Sequence, residues 1–85
     1  MENKVTWTQT FKSKIENFEY IEFEIIQLEY SKHDQFTHFA RVLNGGREIS
    51  YMFFDDFKQA KNFIIGAMYT LNGLGIIDMT EDIEG

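Results

Sequence analysis

Eighty-five residues limit the chain to one hydrophobic core. The absence of cysteine excludes a disulfide framework and Cys-based zinc sites, and it fits a reducing cytoplasm. A formal net charge of −6 sets the chain against phosphate backbones and favours basic surfaces as partners. The core has ample material, since 44% of residues are hydrophobic and nine Phe, four Tyr and one Trp bring large, rigid areas per residue ordered.

The opening residues contain no apolar run of signal-peptide length, and no apolar stretch of roughly 18 residues occurs, so the protein is expected to stay where it is made, away from membranes. Trp7, Phe11, Ile15 and Phe18 recur at spacings of four, four and three, which predicts a helix with Thr6 or Thr8 as N-cap. The alternation of Thr6-Trp7-Thr8-Gln9-Thr10 leaves a strand open as the other reading.

From Tyr20 to Lys32 the period changes to two: Ile21, Phe23 and Ile25, then Ile26, Leu28 and Tyr30. The apolar parity flips at Ile25-Ile26, which requires either a β-bulge or apolar groups on both faces. After the polar turn Lys32-His33-Asp34-Gln35, Phe36 to Leu43 reads as a second strand. Asn44-Gly45-Gly46 reads as a tight hairpin loop, and Arg47 to Phe54 as a third strand.

Asp55-Asp56 opens a second helix with Asp56 and Gln59 in capping-box spacing and an apolar stripe of Phe57, Ala60, Ile64, Ala67, Met68 and Leu71. Gly73 is expected at C′, and mid-helix Gly66 implies a close approach to the sheet. The expectation is an α+β fold, helix–three-stranded antiparallel sheet–helix, with both helices on one face. Residues 1–75 form the domain, and 76–85 an acidic, partly disordered tail.

Nothing in the sequence builds an enzyme site or calls for a cofactor. His33 and His38 lie five apart, not the helical i, i+4 spacing of a two-histidine metal site. His33, Asp34 and His38 could meet one ion on a hairpin, but a loop histidine followed by a strand histidine is the plainer reading. Ser13, Ser31 and Ser50 have no His and acid partner in motif spacing, and helix capping accounts for the Asp55-Asp56 pair.

From Phe23 to Leu74 the expected order of elements resembles a double-stranded RNA-binding domain, with Lys58-Gln59-Ala60-Lys61 similar to part of that family's lysine motif. The resemblance implies phosphate contacts from Lys58 and Lys61, and minor-groove contact from His33. The sequence departs from it where Phe57 stands for the first lysine and Phe53-Phe54-Asp55-Asp56 for the glycine-rich approach. Carboxylates beside a phosphate site repel it, so direct nucleic-acid binding is not expected.

Helices on one face leave the other uncovered, yet Ile21, Phe23, Phe36 or Phe39, Tyr51, Met52, Phe53 and Phe54 supply apolar groups to both. The N-terminal segment or Ile76, Ile77 and Ile83 folding across it, or dimerisation, would cover that face; otherwise it is a partner-binding surface. Acidic, proline-free and Cys-free chains of this size and layout resemble phage-encoded inhibitors of the anti-CRISPR and anti-defence type. That resemblance implies a non-enzymatic module that engages a basic or nucleic-acid-handling protein. Candidate contacts are Glu19, Glu22, Glu24, Glu29, Asp34, Tyr51, Phe53, Asp78, Glu81, Asp82 and Glu84. The alternative is a structural homodimer through the open face or an edge strand.

Overall fold

The computed structural model describes residues 4–16, 18–28 and 36–80. These form four strands and one helix: β1 (Lys4–Lys12), β2 (Tyr20–Gln27), β3 (His38–Asn44), β4 (Arg47–Phe54) and α1 (Phe57–Gly73). The strands make one antiparallel sheet in the order β1-β2-β3-β4, and α1 lies across β2, β3 and β4.

The expected helix–three-strand–helix order is therefore corrected at its start, where the predicted first helix is β1. Trp7 and Phe11 are four apart, an even interval, so they share a face on a strand as well as on a helix. Thr6, Thr8 and Thr10, which alternate with them, are β-branched and suit the pleated surface. Thr6 also donates its hydroxyl to the Ile25 carbonyl (3.1 Å). With a strand in this position, the leading helix of the double-stranded RNA-binding order is absent.

Phe11, Ile21, Phe23, Ile25, Ala40 and Val42 point to the same side of the sheet and meet Ala60, Ile64 and Met68 of α1. Phe11 and Phe23 pack edge to face with ring centroids 6.0 Å apart. At the helix start, Asp56 accepts the Gln59 N–H at 2.7 Å, as the Asp-x-x-Gln spacing predicts, and such a cap contributes about 1 kcal/mol. Gly45 and Gly46 take φ of 59° and 90°, the paired positive angles of a two-residue hairpin loop.

The parity flip of β2 is resolved without interrupting its pairing to β3. Ile25 stays over the core opposite Ala40, while Ile26 turns to the other face opposite Phe39. The irregularity sits in β1, between Val5 and Trp7, across from Ile25 and Ile26. After α1 the chain returns to the core: Ile77 is buried, Ile76 and Met79 pack beside it, and the Ile76 carbonyl accepts from the Lys14 N–H at 2.7 Å. Ile76 and Ile77 thus join the helix side of the sheet and do not cover the other face; Ile83 lies outside the described residues.

Two glycine expectations are also corrected. The positive φ after the helix belongs to Gly75 (79°), with Leu74 as C-cap, and Gly73 is the last helical residue. Gly66 is exposed, and a Cβ placed there would meet nothing within 4 Å, so no close approach explains it. Gly66→Ala is accordingly expected to raise unfolding free energy by about 0.5–1 kcal/mol. Denaturant unfolding measures it, and a destabilised variant would contradict the open placement.

Candidate functional site

Alternation along the four strands projects a second set of side chains away from the helix. Strand register arranges them in three rows. The first is Val5, Ile26, Phe39 and Phe53; the second is Thr8, Glu24, Arg41 and Tyr51; the third is Thr10, Glu22, Leu43 and Glu48. Glu48 joins the third row because an irregularity between Val42 and Leu43 leaves Ile49 without a cross-strand partner.

One corner of this face is aromatic. Phe39 lies 5.0 Å from Phe53 and 5.6 Å from Tyr51 between ring centroids, and Phe36 lies 5.9 Å from Phe53. Tyr51 and Phe53 meet almost perpendicularly at 6.1 Å. The four rings support one another, yet Tyr51 remains 55% and Phe53 43% exposed. Contiguous exposed apolar area of this kind marks interaction surfaces.

The neighbouring rows carry charge. Arg41 donates through Nε to Glu24 Oε1 at 2.7 Å, and its Nη1 lies 3.6 Å from Glu48 Oε1. The hydrogen bond to Glu24 raises the Arg41 pKa above its ordinary value, so this cation is fixed at any working pH. Glu24 is thereby engaged within the chain, whereas Glu22 sits one row away on the same strand. The face is an aromatic corner beside an acid-rich strip with Arg41 at its centre.

Of the candidate contacts read from sequence, Glu22, Glu24, Tyr51 and Phe53 come together here. Glu19 lies in the turn before β2, where its Oε1 approaches Gly45, away from the aromatic corner. Asp78 follows the helix on the other side of the sheet and accepts both the hydroxyl (2.6 Å) and the N–H (2.9 Å) of Thr80. Glu29, Asp34, Glu81, Asp82 and Glu84 lie outside the described residues, as does His33. His38 faces the helix side instead: its Nδ1 is 2.7 Å from the Thr37 hydroxyl, and its ring packs on Phe57 at 5.8 Å. Among the described residues no cluster of three or more His, Asp or Glu side chains is arranged to hold a metal ion. No helix among them is long and apolar enough to cross a membrane.

Arg41 and Glu48 were not among the sequence-derived contacts. Alternation of Phe39, Arg41 and Leu43 was a signal for Arg41, but its pairing with Glu48 depends on the bulge at Ile49.

The Thr80 bonds hold the Asp78 carboxyl below the usual carboxylate range, the hydroxyl having the largest effect. Because the folded-state value is depressed, any stability this turn adds is present above the ordinary carboxylate pKa and is lost as pH falls through the folded value. Thr80→Val, which keeps the N–H donor and removes the hydroxyl, is expected to move the Asp78 titration upward in an NMR pH series. An unmoved midpoint would contradict the geometry. No family model, curated protein or solved structure matches this chain, so the functional reading rests on the chemistry of the face.

Proposed function

We propose that the protein is a non-enzymatic binding module that seats a protein partner on the sheet face opposite α1. The observation that carries this reading is the ring quartet Phe36, Phe39, Tyr51 and Phe53 on the side of the sheet opposite α1, in which Tyr51 and Phe53 are exposed and Phe36 and Phe39 half-buried. Aromatic anchors supply most of the binding energy in protein interfaces, and here they are ordered in advance by mutual packing, which lowers the entropic cost of binding.

The acids beside the quartet favour a partner whose contact surface is basic. Glu22, Glu24 and Glu48 stand against Arg41, with Lys12 further off, opposite Tyr20. The whole chain adds a long-range field from its −6 charge. A nucleic-acid-handling protein presents such a surface, and occupying it would block that protein sterically and electrostatically, as small acidic phage-encoded inhibitors do. The cysteine-free composition supports the cytoplasm as the place of action.

Affinity capture from a lysate of the source organism tests the assignment with three variants. A basic protein retained by the wild type should be lost with Phe53→Ser. Its retention should weaken with Glu22→Lys and as salt rises from about 50 to about 500 mM. It should persist with Tyr69→Ser on the outer face of the helix, where Tyr69 is exposed. Retention that survives Phe53→Ser and fails with Tyr69→Ser would move the binding site to the helix and overturn the reading.

A further inference from the structure

The segment that carries Phe36 into the aromatic corner is gripped at its next residue. Just before β3 begins at His38, the Thr37 N–H donates to the Phe54 carbonyl (3.0 Å), and the Thr37 carbonyl accepts from the Leu28 N–H (2.9 Å). The Thr37 hydroxyl donates to the Asp55 carbonyl at 2.9 Å, one residue beyond β4. Its oxygen also lies 2.7 Å from Nδ1 of His38, whose ring packs edge to face on Phe57 at the start of α1. Phe36 immediately precedes Thr37, and Phe53 stands two residues before Asp55. The two segments joined by the hydroxyl are thus the two whose rings meet at 5.9 Å.

A count of hydrogens fixes the direction of these bonds. A hydroxyl carries one hydrogen, and here it is directed at the Asp55 carbonyl, which can only accept. The short contact with His38 must then be donated by the ring, so Nδ1 carries the hydrogen and Nε2 of the neutral imidazole is bare. An oxygen that accepts from one neighbour while donating to the next is oriented by both, and bonds in such a chain strengthen one another.

We propose that Thr37 is a positioning residue for the aromatic corner. The chain from His38 Nδ1–H through the Thr37 hydroxyl to the Asp55 carbonyl aligns the segments bearing Phe36 and Phe53 so that their rings meet. Phe36 precedes the ladder of β3, so its placement depends on the bonds made at Thr37. The value of an ordered corner rests on the binding function proposed above, but the chain is a property of the isolated protein and is tested there.

A two-bond proton–nitrogen correlation spectrum of the full chain at alkaline pH reports which imidazole nitrogen of His38 is protonated, and ring-to-ring NOEs report the contact of Phe36 with Phe53. The wild type is expected to show a protonated Nδ1, a bare Nε2 and strong NOEs. Thr37→Val keeps the shape and the backbone bonds and removes only the hydroxyl. It should move His38 to the Nε2-protonated form that neutral imidazole favours in water and weaken the NOEs severalfold, and Thr37→Ser should restore both. Thr37 is exposed, and circular dichroism verifies that each variant is folded. An Nε2-protonated His38 in the wild type would overturn the chain. NOEs as strong in Thr37→Val as in the wild type, or lost in Thr37→Ser, would overturn the positioning role. None of these readouts needs a partner: capture that still depends on Phe53 in a chain failing them would keep the proposed function and remove Thr37 from it.

Discussion

One amphipathic helix covers one face of a four-stranded sheet, and the organisation of this protein follows from that limit. The buried stripe of α1, Ala60, Ile64 and Met68, meets Ile21, Phe23 and Ile25 of β2 together with Ala40 and Val42 of β3. The residues alternating with them must point the other way. Where the alternates are threonine or glutamate, on β1 and most of β2, water suffices. On Phe39, Tyr51 and Phe53 it does not, and these rings turn to one another. The same pleat that makes the core thus makes the aromatic corner.

Charge and packing are coupled on that face. Arg41 stands in the row next to Phe39 and Phe53, and it is held by Glu24 on one side and approached by Glu48 on the other. Partly exposed pairs of this kind add at most about 1 kcal/mol to stability. Their larger effect is to fix a cation among acids, so that the strip next to the aromatic corner has a defined pattern instead of a diffuse negative field. A partner is read by that pattern as well as by apolar fit.

Much of the fold is legible in the sequence because local chemistry and tertiary packing agree. Period-two alternation marks β2, the two glycines after Asn44 mark the hairpin that joins β3 to β4, and Asp56 marks the start of α1. The misreading of β1 has a simple cause. Trp7 and Phe11 satisfy both periods, and what decides between them is an available edge on β2, a long-range pairing that spacing does not encode. Gly66 misled for the opposite reason: a residue costly to a helix suggested a tertiary contact, and the helix simply carries it on its exposed side. At the candidate site, Tyr51 and Phe53 were readable as apolar residues in excess of one core. Their association with Phe36, Phe39 and Arg41 needed register, and the position of Glu48 needed the bulge at Ile49.

The whole account depends on the sheet being shielded on one side only, and solvent paramagnetic relaxation of the aromatic ring protons measures that directly. With a neutral soluble paramagnet, the rings of Tyr51 and Phe53 should relax strongly, Phe36 and Phe39 to an intermediate degree, and Phe11 and Phe23 hardly at all. Equal protection of Tyr51, Phe53, Phe11 and Phe23 in the isolated monomer would mean that the chain covers both faces itself, and the binding face would not exist.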